Sequence, residues 1–289
     1  MEHRVSIITS LGQAHDPDYS GLIAFIGGGQ MASALIAGLL RSGHDASTIL
    51  VVEPHAPQRE RLVNEYSVRV LPAPSSELAE ATIVIWAVKP QVMRDAAVAA
   101  RDWTTASLHV SIAAGISLAT LQRWLAANRV VRVMPNTPAL IGAGVTGLLA
   151  GPAVSEADRR FVESVFASTG HVLWVDSDEG VDAITAVSGS GPGYIFQFLA
   201  SYQAGAEALG FSKEQARDLV LKTCAGAVQQ AIAEPTALTT LRDRVASKGG
   251  TTEAGLAIMN RQGIDIVMKQ SLDSAFRRAR EMSEQLDQS

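Results

Sequence analysis

Cysteine is almost absent: the 289-residue chain carries one, Cys224. That excludes an internal disulfide scaffold and a cysteine-built zinc site. It suits a reducing compartment, and a cytoplasmic location is the expectation. Cys224 sits in the helical-looking stretch LVLKTCAGAV and reads as a buried core thiol. Basic residues are not in excess either. There are 24 against 29 acidic ones, for a formal net charge of −5. Nucleic acid and anionic membranes need a basic face, so neither is an expected partner. All six histidines fall at or before His171, and no HExxH, GxSxG or Cys–His pair occurs. No metal site is therefore expected.

What is present is a core. Apolar residues make up 47 % of the chain, and the length suits about two domains at roughly 100–200 residues each. From Tyr19 to Leu40 no residue is charged, and a hydropathy window would mark that run as membrane-spanning. The cluster Gly27-Gly28-Gly29-Gln30 cuts it in the middle. It reads instead as a buried strand, a tight turn and a buried helix. Residues 1–20 carry His15, Asp16, Pro17 and Asp18 where a signal peptide needs an apolar core and a small-residue cleavage site. They are expected to form a loose extension.

From residue 21 to 178, short β-rich runs alternate with helical ones. The strands are expected over 22–26, 49–52, 68–70, 83–87, 108–111, 130–133, 145–149 and 172–175. The helices are expected over 30–42, 57–66, 90–100, 118–127 and 155–169. This alternation argues for an α/β domain with a parallel, doubly wound sheet. From 179 to 289 only helices are expected, over 181–210, 212–233, 237–247, 252–261 and 264–285. Tyr194–Leu209 is apolar on nearly every face, which a unit of this size can hardly bury alone, so it reads as an oligomer interface.

Gly27-Gly28-Gly29-Gln30-Met31-Ala32 fits G-x-G-x-x-A between a strand and a helix. Gly27 allows the turn, Gly29 lets backbone approach a diphosphate, and the small Ala32 lets helix and strand pack closely. The phosphates then meet free N–H groups at the helix start. The second strand is followed by Glu53, 21 residues after Ala32, where an acid commonly meets a ribose. Ala87-Val88-Lys89-Pro90 and Ser111-Ile112-Ala113-Ala114-Gly115 end two further strands. They fall on the edge where open parallel sheets bind ligands.

Three other motifs are candidates for substrate contact. Met134-Pro135-Asn136-Thr137-Pro138 is a stiff loop that presents Asn136. Ser188-Gly189-Ser190-Gly191-Pro192-Gly193-Tyr194 breaks a helical pattern, and such a break usually has a packing or ligand reason. Ser190 is its candidate. In Ser247-Lys248-Gly249-Gly250-Thr251-Thr252-Glu253, two glycines precede a helix start suited to a carboxylate or phosphate. A strong protein acid is missing near these motifs. A protonated C=N accepts hydride without one, so an imine substrate is favoured over a ketone.

The motifs GGGQMASALIAGL, AVKP, SIAAGIS, MPNTPALIGAGVTGL, SGSGPGY and SKGGTTEAGL, in that order, resemble the pyrroline-5-carboxylate reductase family. The resemblance runs from about Gly21 to the C-terminus. It implies an N-terminal Rossmann-type dinucleotide-binding domain followed by an all-helical dimerisation domain. It also implies reduction of 1-pyrroline-5-carboxylate to L-proline, with NADPH as cofactor and NADH also accepted. By this resemblance Gly27, Gly29, Gln30 and Met31 cradle the diphosphate, while Ala87, Lys89 and Ala114 flank the ribose and nicotinamide. Gly249, Gly250, Thr251 and Thr252 take the substrate carboxylate, with Thr252 near the ring nitrogen and the partner subunit's cofactor. A homodimer at least is implied, with a decamer of dimers left open.

This sequence departs from the family at Lys248, where many members have Pro, at Pro72–Ser75, where some carry an Asn, and at Glu53. Two rival readings stay open on the residues alone. One is another Rossmann reductase, a β-hydroxyacid dehydrogenase or imine reductase, whose long second-domain helix usually carries a Lys or Asp. The other is a dinucleotide sensor without catalysis, which is expected to lack the 249–252 turn.

Overall fold

The structure is a computed structural model and describes residues 21–287. The extension expected over residues 1–20 lies outside them. The described chain forms two compact units, one of residues 21–190 and 275–287, the other of 191–274.

The first unit is built on eight strands: β1 (Leu22–Ile26), β2 (Ile49–Val52), β3 (Arg69–Leu71), β4 (Ala81–Trp86), β5 (Leu108–Ser111), β6 (Val130–Met134), β7 (Gly144–Ala150) and β8 (Gly170–Val175). They lie in one sheet in the order β3-β2-β1-β4-β5-β6-β7-β8. Its helices are α1 (Gln30–Arg41), α2 (Ala56–Tyr66), α3 (Pro90–Ala100), α4 (Leu118–Leu125), α5 (Glu156–Ala167) and α6 (Asp178–Ile184). Alternate residues of each central strand feed two cores. Ile23, Phe25, Ile49, Val51, Ile83 and Ile85 pack with residues of α1, α2 and α5. Ala24, Ile26, Leu50, Val84 and Trp86 pack with residues of α3 and α4. Burial on both faces is why these strands read as continuous apolar runs. The uncharged run from residue 22 to 40 is therefore a buried strand and a helix. No helix among the described residues is long and apolar enough to cross a membrane.

The first six strands are mutually parallel, but β7 runs antiparallel to β6, and β8 is parallel to β7. The expected parallel, doubly wound sheet is present, with one correction at the β6–β7 pair. The chain between Met134 and Gly144 holds only a 3-10 turn, Thr137–Ile141. A parallel return needs a crossover of about a dozen residues or more, so this short connection reverses the strand direction.

The single helix expected over 181–210 is also corrected. α6 ends at Ile184, a π turn spans Thr185–Gly189, and a new helix, α7 (Gly191–Ala208), follows. The Ser190 N–H donates to the Thr185 carbonyl at 2.8 Å, a five-residue step that marks the wider turn. Pro192 falls in the first turn of α7, where its missing N–H costs little.

The second unit contains α7, α8 (Lys213–Ala233), α9 (Leu238–Val245), α10 (Thr251–Arg261) and the start of α11 (Ile264–Asp287). α7 packs on α8, yet α7, α9 and α10 bury no residue in the single chain. Ile195 and Phe196 are 56 % and 64 % exposed, and Phe198 and Tyr202 are also exposed. Apolar surface of this kind marks an interaction site. Cys224 is half-buried on α8 rather than enclosed in a core.

Candidate active site

The C-terminal ends of β1, β2, β4 and β5 place four loops along one edge of the first unit. Gly27 follows β1 with φ +96°, and its N–H donates to the Val52 carbonyl at 2.8 Å. A Cβ there would lie 2.6 Å from the Ala87 carbonyl oxygen. Only glycine meets both conditions. Gly29 is different: a Cβ would meet nothing within 4 Å, so the chain faces open space just before α1. Gln30, Met31 and Ala32 form the first turn of α1. Ala32 is fully buried against the sheet, as the close-packing position of the motif requires.

The helix starts on this edge differ from the others in the unit. α4, α5 and α6 are capped by the side chains of Ser117, Ser155 and Ser177. α1, α2 and α3 begin at Gly29, His55 and Lys89 with no side-chain cap and no acid in the first turn. Their leading N–H groups have no acceptor within the helix and carry the positive end of the dipole. An anion suits such positions, and the open cradle at Gly29 fits the diphosphate of a dinucleotide.

Glu53 follows β2 with its carboxylate turned toward the glycine loop. Its Oε2 accepts from the Gly28 N–H at 2.9 Å, and its Oε1 from the His55 N–H at 2.8 Å. Ala87 and Val88 are half-buried beyond β4, exposed Lys89 is the N-cap of α3, and Pro90 is its first residue. Ala114 is half-buried in the loop after β5. The end of α11 supports that loop. Its Met282 lies against Gly115, and its Asp287 Oδ1 accepts from Ser117 Oγ at 2.6 Å and Thr120 Oγ1 at 2.5 Å.

Asn136, beyond β6, is 7 % exposed and has both ends of its amide occupied. Its Oδ1 accepts from the Val145 N–H at 2.9 Å, and its Nδ2 donates to the Ser188 carbonyl at 3.0 Å. It thus ties the π turn, and with it half-buried Ser190, to β7. Below the turn, Arg132 of β6 bonds Asp178 at 2.5 Å and Asp182 at 2.8 Å on α6. Burial pushes the Asp182 carboxyl above its ordinary range, with Arg132 pulling the other way.

Gly249, Gly250, Thr251 and Thr252 lie in the second unit, on the turn into α10. Gly249 has φ +74°, and α10 starts at Gly250 with no side-chain cap. The Gly249 N–H already donates to Glu253 Oε2 at 2.6 Å, and the Gly250 N–H to the Ser247 carbonyl at 2.9 Å. The N–H groups left for an anion are those of the first helical turn, beginning at Thr251. Among the described residues, no group of three or more His, Cys, Asp or Glu side chains is placed to hold a metal ion.

Comparison with known proteins agrees with this arrangement. A family model described as pyrroline-5-carboxylate reductase dimerisation matches residues 178–282. A second, described as NADP oxidoreductase, coenzyme F420-dependent, matches residues 22–115. The pyrroline-5-carboxylate reductase of Pseudomonas aeruginosa is 41 % identical over 268 residues, covering 92 % of this chain and 98 % of the relative. The chain belongs to the pyrroline-5-carboxylate reductase family. Among solved structures, the pyrroline-5-carboxylate reductase of Coxiella burnetii superposes with a TM-score of 0.86 at 32 % identity, covering 91 % of this chain and 99 % of that one. The pyrroline carboxylate reductase of Plasmodium falciparum, solved with NADP bound, gives 0.82 at 25 % identity, covering 91 % and 98 %.

Membership of the pyrroline-5-carboxylate reductase family fixes the class of chemistry as oxidoreductase and the first unit as NAD(P)-binding. The sequence alone did not single out Gln58 at Gly28, Arg132 with its two aspartates, or Glu253 at Gly249. Asp178 and Asp182, spaced i, i+4 on a helix, were a legible hint of a shared partner. The other two contacts leave no trace in motif spacing.

Proposed function

We propose that this chain reduces the ring C=N of 1-pyrroline-5-carboxylate to L-proline, as a homodimer in the cytoplasm, with either NADPH or NADH. The observation that carries the reading is the start of α10 after Gly249 and Gly250, a helix N-terminus with no side-chain cap in a chain of this family. The reduced nicotinamide, when bound, supplies the hydride that goes to the ring carbon. The uncapped starts of α1 and α3, with Lys89, suit the diphosphate and ribose. The first-turn N–H groups of α10 neutralise the substrate carboxylate without a side-chain charge. The Thr252 hydroxyl hydrogen-bonds the ring nitrogen and orients it, and the proton that the nitrogen gains comes from water. Asn136 acts by holding the Ser188–Ser190 segment in place, since its own amide is engaged. The exposed apolar side of α7 is the surface that a second protomer covers.

The direct test is a coupled assay. Purified protein consumes NAD(P)H with 1-pyrroline-5-carboxylate and forms proline, and leaves 3-hydroxyisobutyrate untouched. Absence of proline with both coenzymes across the pH range would overturn the reading.

Thr252→Ala tests the substrate turn. It is expected to raise KM for the substrate and lower kcat, reducing kcat/KM about 10- to 100-fold, or roughly 1.4–2.7 kcal/mol. NADPH affinity stays near the wild-type value. A loss confined to NADPH affinity would remove Thr252 from the substrate site.

A further inference from the structure

The peptide unit of Gly28 is held from both ends by the segment that follows β2. Its N–H donates to Glu53 Oε2 at 2.9 Å, and its carbonyl accepts from Gln58 Nε2 at 2.5 Å. A Cβ at Gly28 would lie 2.5 Å from Leu62 Cδ1 and 3.3 Å from Glu53 Oε2, so α2 and Glu53 close over the loop. The other carboxylate oxygen of Glu53 accepts from the His55 N–H at 2.8 Å. Two backbone donors therefore fix the carboxylate at the end of β2.

We propose that Glu53, held by the Gly28 and His55 N–H groups, makes NADH, rather than NADPH, the better coenzyme of this chain, while Gln58 completes the clamp on the glycine loop. The inference rests on the dinucleotide reading of the first unit. A carboxylate oxygen has room for about two hydrogen bonds, and each oxygen of Glu53 accepts one here, so both can still accept from ribose hydroxyls. A 2′-phosphate brings negative charge to the same place. To avoid it the carboxylate must swing away and leave the Gly28 and His55 N–H groups without their acceptor. The competing arrangement seats the 2′-phosphate on the uncapped start of α2, with His55 and Arg59. In that arrangement Arg59 offers only its Nε and Nη2, because its Nη1 donates to the Glu53 carbonyl at 3.1 Å and the Pro54 carbonyl at 2.6 Å. Gln58 touches the loop and not the position of the 2′ substituent. Its part is to place the loop for either coenzyme.

The test is direct binding, independent of turnover: titration of the wild-type protein with NADH and with NADPH, followed by nicotinamide fluorescence. The wild type is expected to bind NADH roughly tenfold or more tightly than NADPH. Glu53→Ala should bring the two affinities within about threefold, chiefly by improving NADPH. Glu53→Gln keeps the side-chain size while removing the charge, and should move the ratio in the same direction. Gln58→Ala should weaken both coenzymes by a similar factor and leave the ratio unchanged. Binding of NADPH as tight as NADH, or a ratio that neither Glu53 variant moves, overturns the inference while the dinucleotide reading stands. Binding of neither coenzyme overturns both. Unchanged affinities in Gln58→Ala remove Gln58 from the clamp.

Discussion

Arg132→Met is expected to destabilise the protein by about 3–5 kcal/mol, because it leaves a buried carboxylate without its counter-charge. The Arg132 and Asp182 side chains are 3 % and 6 % exposed, while Asp178 is 39 % exposed and keeps water on one side. Met keeps the aliphatic stem of Arg, so the loss reports chiefly the missing charge and its hydrogen bonds. Asp182 already has its pKa raised by burial, and Arg132 is the main influence opposing that rise. Without Arg132 the folded-state pKa rises further. The folded variant then holds a proton at pH values where the unfolded chain has lost it, so its deficit grows as pH rises and shrinks as pH falls. Urea unfolding of wild type and variant at pH 7 and pH 5, at one protomer concentration, checks both statements. The double variant Arg132→Met/Asp182→Leu should recover most of the loss, since an apolar pair of similar volume often replaces a buried ion pair at little cost. A loss below about 1 kcal/mol at pH 7 would show that water reaches Asp182. Arg132 anchors α6, and α6 leads through the π turn to Ser190.

The first unit was legible because its signals are local. Glycines at the required spacing, apolar runs of strand length and amphipathic stretches each identify an element without reference to the rest of the chain. The reversal at β7 was not legible from periodicity, since an alternating strand reads the same in either direction. Only the short connection across Pro135–Ala143 carries that information. The π turn was half legible: the glycines and proline of 188–193 announced a break, but its form depends on Asn136 bonding Ser188 across 52 positions of sequence. The apolar face of α7 was read correctly as too large for one chain to bury, and the isolated chain leaves it exposed. Glu53 was placed by its spacing from the glycine motif. Which way its carboxylate turns was not, because that depends on the Gly28 N–H, 25 residues away.

His109 is expected to make the protein lose about 3 kcal/mol of stability as pH falls from near 6.5 to near 4. It lies in β5, 1 % exposed, stacked on Trp86, and its Nδ1 accepts from Trp86 Nε1 at 3.1 Å. Burial lowers its pKa from 6.5 to about 4; the backbone of Thr104 works against the shift and the positive charge of Arg129 adds to it. The folded state therefore keeps the ring neutral where the unfolded chain has already bound a proton. The unfolded state binds more protons throughout that window, so stability is fully present above the unfolded pKa and drains away as pH falls through the folded one. Asp182, whose pKa is raised on folding, acts in the opposite direction below neutral pH. The wild-type profile alone therefore does not isolate the histidine. His109→Gln does, because Gln keeps an acceptor for the indole N–H and has no proton to gain in this range. The variant is expected to be less stable than wild type at pH 7 through imperfect packing. Urea unfolding at pH 7 and 4.5 should show the gap between the two proteins closing by about 2 kcal/mol or more at the lower pH. Parallel profiles would mean that the buried ring is protonated in the folded state without cost, and that a rearrangement around Trp86 accommodates the charge.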